Sequence, residues 1–98
     1  MSARLAAAAL IIALADPAAA CDLELGRYLA AECLTCHGAA AGGTIPTLFG
    51  MPEATFVALI TAYRKGIRTN PVMQTIARRL TGAEIAALAC TFATTKQP

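Results

Sequence analysis

Cys33-Leu34-Thr35-Cys36-His37 is the stretch on which the reading of this chain turns. Two cysteines three positions apart with a histidine directly after them form the attachment signature of c-type haem. The spacing follows from helix geometry, because residues i and i+3 project from one side of a turn. Both thiols can then reach the two vinyl groups of one porphyrin, and the adjacent imidazole stands under the iron as an axial ligand. His37 is the only histidine of the 98 residues, so no second imidazole competes for that place. Half a zinc site is the first alternative, but a tetrahedral zinc needs four ligands and the sequence has no second cysteine-rich half. A thioredoxin-like redox pair is the other, and it requires a βαβ pattern that is missing here. The motif therefore implies haem c, one per chain and covalently attached through Cys33 and Cys36.

The amino terminus points to export. Met1-Ser2-Ala3-Arg4 is a short positive start, Leu5 to Ala15 is an unbroken apolar run, and Asp16-Pro17 breaks it before Ala18-Ala19-Ala20. This reads as a secretory signal peptide over 1–20, cut after Ala20 or, alternatively, after Ala15, and too short for a spanning helix. A buried alanine-rich helix is the competing reading. Export would place the remaining domain, 21–98, in the periplasm, where disulfides persist. Much of the positive mean hydropathy belongs to the leader. What remains is a marginal size for an unaided core, which makes a covalent haem a structural part of the fold as well as a functional one.

Net charge is only +2, but it is unevenly spread: Arg64, Lys65, Arg68, Arg78 and Arg79 fall in a window that contains no Asp or Glu. Asp22, Glu24 and Glu32 precede the haem motif. Such asymmetry can steer a charged partner, or it can be an ordinary solvated face. With two tyrosines, three phenylalanines and no tryptophan, no aromatic–basic pattern for nucleic acid is present.

Asp22 to Glu32 reads as a first helix with Leu25, Tyr28 and Leu29 on one face, running into the motif. Gly38 to Gly43 is small and flexible, and a loop Thr44-Ile45-Pro46-Thr47-Leu48 follows. Pro52 suits a first helical position, after which Phe56, Leu59, Ile60 and Tyr63 recur with helical period. Gly66 suits a helix cap, and Asn70-Pro71 is a break before a short helix from Val72 to Leu80. Thr81-Gly82-Ala83-Glu84 is a capping box opening a last helix striped by Ile85, Leu88, Ala89 and Phe92. No strand pattern or repeat competes, and the class is all-α.

Iron bound by His37 needs a second axial partner, for which a thioether is the natural candidate. Met1 leaves with the leader, so the choice is between Met51 and Met73. Met51 stands fourteen residues after His37, just before a helix whose apolar face must pack. Met73 stands thirty-six residues on, which gives the chain a helix and a loop with which to round the haem edge. Met73 is therefore assigned to the iron and Met51 to core filling. Metal-bound histidines usually donate their other N–H to an oxygen, and the carbonyl of Pro46, nine residues on, can accept it.

Taken together, Cys33, Cys36, His37, Pro46 and Met73 resemble a class I c-type cytochrome over the whole of 21–98. That resemblance implies a small single-domain fold wrapped around one haem, with the amino-terminal helix packed across the carboxy-terminal one. Ile45-Pro46-Thr47-Leu48-Phe49-Gly50-Met51-Pro52, Tyr63-Arg64-Lys65-Gly66-Ile67-Arg68 and Val72-Met73-Gln74-Thr75-Ile76-Ala77 are similar to the cytochrome subunit of flavocytochrome c sulfide dehydrogenase. This implies a sulfide-oxidising flavoprotein as donor and a downstream cytochrome or oxidase as acceptor. The chain departs from that family in having one haem motif where some such subunits have two. Cys21 and Cys90 lie outside the general family pattern. Because one precedes the first helix and the other lies in the last, two elements that the family packs together, they suggest a disulfide in an oxidising compartment. Lipidation of Cys21, the one route to a membrane, and two free thiols are the other open fates.

The expected function is electron transfer through a His37/Met73-ligated haem, without catalysis by this chain alone. A freely diffusing periplasmic carrier, or the haem subunit of another dehydrogenase such as a sulfite oxidase, is the alternative. A haem enzyme or gas sensor with an open sixth site is the rival from another class.

Overall fold

A computed structural model of the chain describes residues 21–96. The leader read over 1–20 lies outside the described residues. Four helices follow in order: α1 Leu23–His37, α2 Glu53–Arg64, α3 Pro71–Arg79 and α4 Gly82–Thr94. Among the described residues there is no strand, only an isolated bridge between Gly42 and Ile45. The architecture is all-α. No described helix is long and apolar enough to cross a membrane.

Three of the four helices begin where a side chain satisfies a free N–H group. Asp22 Oδ1 accepts from Leu25 N at 3.0 Å. Asn70 Oδ1 accepts from Met73 N at 3.0 Å, with Pro71 at the first helical position. Thr81 and Glu84 form the reciprocal box: Glu84 N donates to Thr81 Oγ1 at 3.1 Å, and Thr81 N to Glu84 Oε1 at 2.9 Å. Replacing Thr81 with Ala is expected to lower the unfolding free energy by about 1 kcal/mol, read as a shifted urea midpoint. An unchanged midpoint would show that the box adds nothing to α4. The start of α2 differs from expectation, since Pro52 is its cap and offers no side-chain hydrogen bond. Its end is capped by Lys65, and Gly66 follows with φ +73°, a left-handed conformation that glycine adopts without penalty.

α4 is the centre of the fold. It contacts α1 and α2, and α3 packs against α2. Ile85, Leu88, Ala89 and Phe92 are buried as their spacing predicts, and Ala87, Cys90 and Thr91 are buried beside them. Phe92 is the hub: Phe56 of α2 lies 5.7 Å from it and Phe49 meets it edge-on at 6.1 Å between ring centroids. Gly50 N donates to Phe92 O at 2.8 Å, tying the long loop before α2 to the same helix.

The orientation of α1 corrects one position of the face read from the sequence: Leu25 and Leu29 are half-buried, Leu29 against the core, but Tyr28 points to solvent. Tyr28 is 80 % exposed, whereas Gly26 and Ala30 are the buried positions of the helix. The cause is steric. α1 approaches α4 so closely at Gly26 that only small residues fit between the backbones, and this turns the Tyr28 side outward. The helix also runs further than expected, through the Cys33–His37 motif to His37 itself. Cys21 and Cys90 are joined as a disulfide with a Cα–Cα distance of 5.8 Å, which fastens the start of α1 to α4.

Candidate functional site

The end of α1 carries Cys33, Cys36 and His37, so the helical register puts both thiols on one side, about one turn apart. With Cys21 and Cys90 paired, Cys33 and Cys36 are the free cysteines of the described chain. They differ in setting. Cys33 is half-buried against the core cluster, and Cys36 is exposed. Burial, and after it the adjacent Glu32 carboxylate, push the Cys33 thiol above its ordinary value.

His37 ends the helix, and its Nδ1 lies 2.7 Å from the Pro46 carbonyl oxygen, to which the Nδ1–H tautomer donates. The loop between them is closed by a tight turn. Gly42 N donates to Ile45 O at 2.8 Å and Ile45 N to Gly42 O at 3.0 Å, with Gly43 left-handed at φ +59°. That turn delivers the Pro46 carbonyl to the imidazole, which fixes the ring and leaves Nε2 as the nitrogen not engaged by it.

Met51 and Met73 are both half-buried against the core, together with Leu34, Phe49 and Tyr63. The backbone of Met73 is held by the Asn70 cap in the first turn of α3. Core contact alone therefore does not separate the two methionines. Glu32 and Arg79, noted in the sequence only as members of acidic and basic groups, meet at 2.6 Å. This bridge links α1 to α3 beside the motif. Both side chains are more than half exposed, so the pair adds little stability.

The donor set suits a haem: two free thiols one helical turn apart, an imidazole oriented by a carbonyl, and soft thioethers on a later element. It does not suit zinc. Among the described residues no group of three or more His, Cys, Asp or Glu side chains comes together.

Two curated relatives match this chain. One, from Thiomonas intermedia (strain K12), is named a thiosulfate dehydrogenase electron acceptor and is 35% identical over 71 residues, covering 68% of this chain and 33% of its own length. The other, from Stutzerimonas stutzeri (strain A1501), has the same name and is 39% identical over 67 residues, 64% of this chain and 31% of its own. The chain thus spans about a third of the length of the curated relatives it matches. Both are named for thiosulfate, not for the sulfide dehydrogenase that the sequence resembled. No protein-family model matches the chain.

Proposed function

We propose that this chain is an exported one-haem electron-transfer protein that accepts electrons from a dehydrogenase of reduced inorganic sulfur. The observation that carries the reading is the placement of Cys33, Cys36 and His37 in one helical turn, with the His37 Nδ1 held by the Pro46 carbonyl. Cys33 and Cys36 would hold the haem edge as thioethers, each thiol adding S–H across a vinyl group. His37 and Met73 would take the two axial positions, and Met51 would stay in the core. A haem bound there supplies one-electron ferrous/ferric chemistry. The hydrogen bond from His37 to Pro46 would fix the tautomer and the ring orientation. The Asn70 cap holds the Met73 backbone still, and filled axial positions would keep small substrates from the metal. For that reason the chain should not be an enzyme by itself.

The names of the two relatives favour a thiosulfate dehydrogenase as donor. The resemblance around Ile45-Pro46, Tyr63 to Arg68 and Val72-Met73 favours a sulfide-oxidising flavoprotein. We take thiosulfate as the leading reading, because the relatives that match over most of this chain carry that name. The purified protein should be red and keep its haem through acid–acetone extraction, whereas Cys33→Ala/Cys36→Ala should lose it. Met73→Ala should abolish the weak red-end ferric band of iron–sulfur ligation and lower the potential, since methionine ligation raises it. Met51→Ala should change neither, and the opposite pattern would reassign the ligand. Haem reduction by thiosulfate plus a thiosulfate dehydrogenase, against sulfide plus a flavoprotein, decides the donor. If neither pair reduces haem faster than its substrate alone, the sulfur reading is wrong.

A further inference from the structure

The corner where α2 passes into α3 carries Arg64, Lys65 and Arg68, and the fold brings Arg78 to them from the far end of α3. The Arg78 guanidinium lies 3.8 Å from the place a Cβ would take on Gly66, the residue after Lys65. Gln74 Nε2 donates to the Arg68 carbonyl at 2.8 Å, pulling the turn down onto α3. The Arg68 guanidinium stands 5.2 Å from the centre of the Tyr63 ring, a cation–π stack that limits its rotamers. Arg79 is neutralised by Glu32; the other four have no carboxylate within ion-pair distance among the described residues. Two large aliphatic side chains stand out of the same corner, Ile67 at 71 % and Val72 at 65 % exposure. Val72 directly precedes Met73. An apolar centre with a charged rim is the anatomy of a protein-docking patch.

We infer that this corner is the docking face for an acidic redox protein, whose carboxylates meet Arg64, Lys65, Arg68 and Arg78 while its apolar side chains cover Ile67 and Val72. The inference rests on the electron-transfer reading and adds to it the chemistry of the partner and the side on which it sits. Three of the four unpaired cations are arginines, whose planar fork matches a carboxylate with two parallel hydrogen bonds. They sit on two helix ends and a turn. A membrane-surface segment would instead line its cations along one face of an amphipathic helix. The patch lies beside the element that carries Met73, so a partner seated there would also be placed near the proposed axial ligand.

A gold surface bearing a carboxylate-terminated monolayer is the probe, with a hydroxyl-terminated surface as control. At low salt the Arg64→Glu/Lys65→Glu variant should adsorb about tenfold more weakly than wild type, and the gap should close in high salt. Arg27→Glu/Lys96→Glu makes the same change in net charge away from the corner and should change adsorption by less than about twofold. Ile67→Ser should weaken adsorption to a mixed carboxylate/methyl surface even at high salt. Equal losses from the two charge pairs would overturn the inference, because net charge alone would then explain adsorption. Tighter binding to phosphatidylglycerol vesicles than to the carboxylate surface, removed by the corner pair, would overturn it in favour of a membrane. Adsorption needs no haem. A colourless protein that still depends on the corner would sink the haem reading and support the surface, and a red protein with no corner dependence would do the reverse.

Discussion

Gly26→Ala is expected to destabilise the protein by about 2–3 kcal/mol through overpacking, even though alanine is favoured over glycine in a helix interior by about 1 kcal/mol. The sign turns on one contact. A Cβ on Gly26 would strike Thr91 Oγ1 and come within 2.5 Å of the Ala87 carbonyl oxygen. The threonine can rotate, but the carbonyl belongs to the backbone of α4 and cannot move without separating the helices. For a domain of this size the loss corresponds to a melting temperature lower by roughly 10 °C or more, measured by far-UV circular dichroism on the haem-loaded protein. A melting temperature that rises, as helix propensity alone demands, would show that α1 and α4 do not approach so closely. Thr91→Val is the companion variant. Thr91 Oγ1 is buried with no hydrogen-bond partner among the described residues, so exchanging the hydroxyl for a methyl should leave stability unchanged or raise it by up to about 1 kcal/mol.

This contact was invisible in the sequence, where Gly26 reads only as a weak spot in a helix. Its role depends on which residue of α4 faces it, and that is a matter of packing between segments sixty positions apart. The same contact explains why Tyr28 was misplaced. Periodicity identifies an apolar stripe, but two small residues that let backbones touch leave a weaker hydropathy signal than a tyrosine and two leucines. The elements governed by local chemistry were legible: the Thr81–Glu84 box, the Asn70-Pro71 start of α3, and the stripe of Phe56 and Ile60. The His37–Pro46 contact was legible in part. The need for an acceptor follows from imidazole chemistry, but the turn at Gly42–Ile45 that supplies it does not. Nothing in the spacing of Glu32 and Arg79 announced their ion pair, since each is an ordinary exposed charge until the fold brings the two side chains together.

Cutting the Cys21–Cys90 disulfide should have an effect at least as large. The bond closes a loop of sequence separation 69, and chain entropy assigns such a loop about 4 kcal/mol, on the order of 20 °C in melting temperature for a domain this small. Cys21→Ser is the cleaner variant, because it removes the cross-link at a half-buried position and leaves Cys90 as a buried thiol that behaves like a small hydrophobe. Thioethers resist thiol reductants, so dithiothreitol should bring the haem-loaded wild type down to the melting temperature of Cys21→Ser and leave that variant where it is. A wild type indifferent to reductant, or a loss below about 1 kcal/mol against the loop-entropy expectation, would show that the covalent link adds little to the packing of α1 on α4. The loss should also be uneven along α1. Both ends pack on α4, but the far end has in addition the bond from His37 to Pro46 and the exposed Glu32–Arg79 bridge, whereas the beginning has in addition to its packing at Gly26 only the Asp22 cap and the disulfide. Amide exchange in Cys21→Ser should therefore quicken most over 23–30 and least over 32–37. The turn that carries the two thiols and the imidazole would stay formed while the base of the helix frays.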